Sequence, residues 1–336
     1  MDHNGHFEVF TPALRRNSSG TTWSGKIAGQ SMPISRFFIA KPTDSAATIN
    51  AALSTGQNLI LTPGVYSLDQ PISVTRPNTV VLGLGLPTLV PSGGTAALLV
   101  ADVPGVQVAG LTVDAGPVNS DVLVQFGAPG ALSPAAASVN NPASIQDVFF
   151  RIGGATLGHA TTTLEINSAN VLIDNIWAWR ADHGNAGTVG WTLNTAATGL
   201  IVNGANVTAL GLFVEHYQET EVLWNGDGGT VVFFQNEMPY DPPDQASWMA
   251  NATTNGYPAF QVADTVETFT GYGMGSYCFF NDHSIISDRA FQAPDTAGVQ
   301  FHDLVLFGGT GTIGHVINDT GPTATNYALV DLVSYP

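Results

Sequence analysis

Leu200-Ile201-Val202-Asn203-Gly204-Ala205-Asn206-Val207-Thr208-Ala209-Leu210-Gly211-Leu212-Phe213-Val214-Glu215 is followed, 22 residues on, by Val222-Leu223-Trp224-Asn225-Gly226-Asp227-Gly228-Gly229-Thr230-Val231-Val232-Phe233-Phe234-Gln235-Asn236-Glu237. The first stretch reads as an apolar triplet, a polar turn, a short β-prone step, then Gly-Leu-x-Val and an acid. The second fits the same frame. So do residues 99–114, ending in Asp114, and residues 164–179, ending in Trp179; residues 260–275 form a weaker fifth copy. A degenerate repeat of about 22 residues, made of short strands and turns, predicts a parallel β-solenoid. The fold expected is therefore all-β, a single right-handed parallel β-helix whose coils hide one another's edges. A β-sandwich is the rival, but it would want antiparallel alternation and Asn-Gly hairpins.

Outward from the repeat, residues 43–53 read as a short helix, placed near 45–54, with Asp44 or Ser45 as N-cap and Ala46, Ile49, Ala52 and Leu53 on one face. It is expected to cap the open first coil. Residues 1–36 are polar and read as an irregular lead-in segment, leaving 37–336 as the β-helix catalytic domain. The chain carries 9 basic and 26 acidic side chains, a net charge of −17. So few cations argue against nucleic acid and against polyanionic substrates such as polyuronides. A neutral polysaccharide or oligosaccharide fits best. No run approaches the roughly 18 apolar residues of a membrane span. The first residues show no basic segment followed by an apolar one, so no signal peptide is expected there. The low Lys content and high Gly, Ser, Thr and Asn content match secreted glycan enzymes, and an extracellular location is expected. The single cysteine, Cys278, excludes an intramolecular disulfide and reads as a buried apolar residue. The sequons at Asn17, Asn206, Asn251 and Asn318 matter only in a eukaryotic secretory host.

The repeat creates a column of side chains. Asp114, Trp179, Glu215 and Glu237 fall at one position of successive or near-successive coils, with insertions at residues 184–197 and 241–256. Glu215 and Glu237 lie one coil apart, among loops carrying Trp191, Tyr240, Trp248 and Tyr257. An acid pair with aromatic platforms is the chemistry of glycoside hydrolysis, in which one carboxyl protonates the departing oxygen and the other handles water or the anomeric carbon. Such acids can equally be a solvated surface pair or a calcium site. A calcium-dependent lyase would need a basic residue as base, and Arg180 is the basic residue seen beside the column. The histidines, His3 and His6 among them, show no ligand spacing, so neither a metal nor a cofactor is expected.

Four motifs in order resemble glycoside hydrolase family 55: residues 174–183 around Trp179, Val214-Glu215-His216-Tyr217-Gln218, Gln235-Asn236-Glu237-Met238-Pro239-Tyr240, and residues 271–280. Residues 46–68, with Pro63-Gly64-Val65-Tyr66, resemble the start of a β-helix domain of that family. The resemblance implies a pectate-lyase-like solenoid acting on β-1,3-glucan, mostly from the chain end and with inversion. It implies that Glu237 is the general acid and that Glu215 helps hold the attacking water. Trp179, Asp182 and Tyr240 would line the subsite of the non-reducing glucose, with His183, His216, Trp191 and Trp248 around it. Electrostatics alone raises one carboxyl of the pair without choosing which; the motif assigns the raised value to Glu237. Family members carry two tandem β-helices, and this chain resembles the second over about residues 40–336. Another domain or subunit would then supply the surface of the first. The alternatives are a carbohydrate-binding module that does not cut, or a β-helix glycosidase of other linkage specificity, such as an α-glucanase.

Overall fold

The structure, a computed structural model, describes residues 5–15, 27–130 and 139–336; His3 and Asn17 lie outside them. The chain alternates between two long sheets. The first holds 13 strands, and its central run from Phe37–Ala40 to Val299–Gly308 is parallel and follows chain order. The second holds 10 strands, parallel and in chain order from Ile72–Val74 to Thr312–Ile317. Between the sheets lie ladders of like residues. Leu111, Val148, Ile176, Leu212, Phe234, Met274 and Leu304 form one, and Val100, Phe126, Ile166, Val202, Trp224 and Val262 face it from the second sheet; all are buried. Parallel sheets covered on their inner faces need such near-continuous apolar runs, which is why the repeat reads Val/Ile/Leu-rich.

A second ladder sets which residues face out. Gly110, Asp147, Asn175, Gly211, Phe233, Gly273 and Asp303 occupy one level of seven consecutive strands and have φ between 50° and 75°. This left-handed corner inserts two adjacent exposed or half-exposed residues and shifts the pleat by one. Glycine, Asn and Asp tolerate it; Phe233 does so with its ring edge-on to Phe213, centroids 5.6 Å apart. Beyond the corner, residues such as Ile176 and Ala178 point inward, and Trp177 and Trp179 point outward.

The early helix is present as Ala46–Ser54, with the Ser45 hydroxyl accepting from the Thr48 N–H at 3.2 Å. It packs against the first strands of both sheets, and Ala46, Ile49 and Leu53 are buried. The Asn50 amide pairs with the Pro71 carbonyl and the Ser73 N–H, both at 2.8 Å, so it satisfies backbone groups at the open edge of the second sheet. At the other end, antiparallel Ala328–Tyr335 and Ala324–Thr325 cover the two last parallel strands.

The lead-in is not irregular throughout. Glu8–Pro12 and Gly29–Pro33 form an antiparallel pair. Val9, Met32 and Ile34 cover Phe37, Ile60 and Val80 on the outer face of the first sheet. Only a thin apolar signal marks this pair, because each strand buries one face partially. Cys278 is buried as expected, and burial pushes its thiol up to about 12.

Candidate active site

Strand register stacks Asp114, Arg151, Trp179, Glu215, Glu237 and Tyr277 in one column at the ends of the first-sheet strands. The column expected from the repeat is therefore real, with Arg151 and Tyr277 added to it. One residue past Glu215 the chain turns through His216 at φ 67°, an uncommon conformation for a non-glycine residue. The His216 N–H donates to the Glu237 carbonyl at 2.8 Å. The turn brings the imidazole beside the column.

Glu215 is buried and accepts a hydrogen bond from Trp177 Nε1 at 2.7 Å. Burial pushes its carboxyl up to about 7; the Trp177 bond opposes this, and the charges of Glu237 and Asp182 add to it. A raised value is thus found at Glu215, which lies in a dry position. The Tyr240 hydroxyl meets Glu237 Oε2 in a short hydrogen bond and lies 2.8 Å from the Tyr277 hydroxyl. Burial raises both phenols well above their ordinary range.

His216 is fully buried, and burial lowers its pKa below the ordinary value, keeping the ring neutral. Its Nδ1 lies 3.2 Å from the Met238 carbonyl, which assigns the proton there. Nε2 then turns its lone pair toward Glu237 Oε2 at 3.5 Å and Asp182 Oδ1 at 3.7 Å. Burial works to raise the Asp182 carboxyl, but the attraction of His216 when it is protonated and the His183 hydrogen bond at 2.8 Å outweigh it and hold it below the usual range. Asp182 also accepts from Trp179 Nε1 at 3.2 Å. Trp179 stacks on Trp177 at 5.2 Å and 17°. His183 stands at the rim, its side chain 80% exposed.

Seven of the nine expected residues therefore converge: Glu237, Glu215, Trp179, Asp182, Tyr240, His183 and His216. Two do not. Trp248 is fully buried, its ring 5.2 Å from that of Phe280, where it fills the base of the second insertion. Trp191 is half-buried against the core and lies over Arg180, 5.5 Å from guanidinium to ring centre. Loops have no period, so an aromatic there fills or covers as readily as it faces a ligand. Trp177 was missed although its signal was present: it lies two residues before Trp179 on one strand and so faces the same way. Glu221 was missed too. It is fully buried, and burial, with the charges of Glu215 and Glu237 adding to it, holds its carboxyl well above the usual range.

Arg180 is wholly enclosed and spends all its donors. It forms a bidentate pair with Asp241 at 2.8 and 2.9 Å and bonds to the carbonyls of Asn194, His216 and Gly190. It joins both insertions to the His216 turn. Arg151 is likewise bidentate to Asp114, at 2.7 and 2.8 Å. Neither is placed as the free base a lyase would require.

Comparison with known proteins follows the same lines. The family model of the LAM55 pectate lyase-like domain matches residues 37–237. An exo-beta-1,3-glucanase of Streptomyces sp. (strain SirexAA-E / ActE) is 51% identical over 336 residues, which covers 98% of this chain and 54% of that protein. This chain thus spans about half the length of its curated relative. The structure of sacteLam55A from Streptomyces sp. SirexAA-E superposes with a TM-score of 0.95 at 50% identity, covering 100% of this chain and 61% of that one. A Glu→Ala variant of sacteLam55A in complex with glucose matches with a TM-score of 0.94 at 49% identity. It covers the same shares of the two chains.

Proposed function

The chain belongs to the family of LAM55 pectate lyase-like domains, as its resemblance to glycoside hydrolase family 55 implied, and from that premise we propose that it is a glycoside hydrolase acting on a neutral β-glucan. The linkage we propose is β-1,3, with glucose removed from the non-reducing end and the anomeric configuration inverted. The observation that carries this reading is the register pairing of Glu215 with Glu237 beside Asp182, His216 and Tyr240. The relative named an exo-beta-1,3-glucanase and the glucose complex support the choice of sugar. We also read the alternation between the two sheets as one right-handed parallel β-helix, capped by Ala46–Ser54, and the protein as secreted.

In the mechanism, Glu237 gives its proton to the departing glycosidic oxygen. The Tyr240 hydroxyl donates to Glu237 Oε2, which leaves Oε1 to carry the proton toward the departing oxygen. Once the proton has left, the same Tyr240 bond stabilises the new carboxylate. Glu215, fixed by Trp177, holds the attacking water and in its ionised form takes the proton that the water loses as it attacks. Trp179 offers an apolar face to the sugar ring, and Asp182 accepts from its hydroxyls.

The test is a panel of polysaccharides incubated with the chain. Release of glucose from laminarin, and not from α-glucans or polyuronides, is the expected result. Saturable laminarin binding without release would favour the carbohydrate-binding module instead, and cleavage of an α-glucan would correct the linkage.

A further inference from the structure

The second insertion has two sides. Its first residue, Asp241, is held by Arg180 at the active site. Its far end is fastened by Asn255, whose N–H and side-chain amide both bond to the Asp288 carboxylate at 3.0 Å. Beyond that point lies a cavity of ≈420 Å³ lined by Asn251, Thr254, Tyr257, Gln261, Arg289 and Gln292, among others. That volume lies within the range of about 300–1,000 Å³ usual for small-ligand clefts.

Gln261 and Gln292 are register neighbours on adjacent second-sheet strands, so their amides stand side by side. Among the described residues, neither amide side chain hydrogen-bonds to another protein group. Arg289 reaches Asp319 at 3.2 Å with one nitrogen, while its Nε is enclosed without a partner. The Tyr257 ring leans on buried Trp248, centroids 6.4 Å apart, and so is held from behind. The cavity therefore offers planar amides, a hydroxyl, a guanidinium and a braced aromatic ring, with no carboxylate among its described lining residues. A metal ion has no anionic ligand there. A polyanion would meet one cation already facing Asp319. A neutral polyhydroxylated ligand can use every one of these groups, as donor or acceptor.

We propose that this cavity is a second saccharide-binding site, separate from the Glu215–Glu237 column, which holds another stretch of the same neutral glucan while the column cuts. This rests on the hydrolase reading above. Its effect would fall on long or insoluble substrate, which reaches both sites, and spare short soluble substrate, which needs only the column.

The test uses the full chain and laminaripentaose, a linear β-1,3-linked glucose pentamer. Calorimetric titration of Glu237→Gln is expected to show two sites, and the added pair Gln261→Ala and Gln292→Ala to leave one. In the otherwise unmutated chain the same pair should change turnover of laminaripentaose less than twofold and lower turnover of insoluble β-1,3-glucan at least threefold. Thr254→Val should give a smaller loss in the same direction, which guards against misfolding of the double variant. One site in both titrations, two sites in both, or unchanged turnover of insoluble glucan overturns the second site and leaves the hydrolase reading intact. No binding and no cleavage of any β-1,3-glucan overturns the hydrolase reading, and the second site with it.

Discussion

Glu215 is held protonated by its surroundings up to about pH 7, whereas in an unfolded chain it would ionise near 4.5. The folded protein therefore binds that proton more tightly. The stability this confers is fully present below about pH 4.5 and is lost as pH rises to about 7. Glu215→Gln keeps an acceptor for Trp177 and never ionises. It is expected to match the parent at pH 4 and exceed it at pH 8 by up to about 3 kcal/mol in urea unfolding, while turnover falls. Equal stability of the two proteins at both pH values would contradict the buried setting. Part of the site was legible at this scale because the repeat fixes positions: Glu215 and Glu237 follow from register, whereas Asp182 came with the family resemblance and Tyr240 with the loop aromatics and that resemblance. The value raised by burial was not legible. It depends on how deep a carboxyl sits, which neither repeat nor motif states.

Strands carried their own signal, and turns carried it through glycine, Asn and Asp at the left-handed corner. Phe233 breaks that rule, so the corner ladder becomes visible only when the strands are aligned. The Glu8–Pro12 and Gly29–Pro33 pair escaped for a different reason, being short and half-solvated with partners some twenty residues apart. The insertions were legible as insertions but not as structures, since their contents are fixed by Arg180 rather than by period. Lysine in its place has three donors on a single nitrogen and cannot reproduce the bidentate pair with Asp241. Arg180→Lys is expected to cost roughly 2–4 kcal/mol and to lower glucan turnover at least tenfold as both loops shift from the column. Urea unfolding and initial rates measure the two effects. Wild-type turnover in this variant would show that the insertions do not depend on that anchor.

At the scale of the whole molecule, the net charge of −17 and the neutral chemistry of the site fit together. The surface repels polyanions, and the column of tryptophan, carboxyls and neutral histidine suits an uncharged sugar. The fold serves this by pairing parallel strands in register so that residues 22 apart in sequence become neighbours across one strand spacing. No local motif alone could have placed them so. Everything in the account turns on whether that column cuts β-1,3-glucan with Glu237 as its acid. Proton NMR of the first sugar released from laminarin tests this directly. The parent should release α-anomeric glucose before mutarotation, and Glu237→Gln should release none while still binding the glucan. Near-parental release by Glu237→Gln would contradict the account, as would a β-anomer appearing first from the parent.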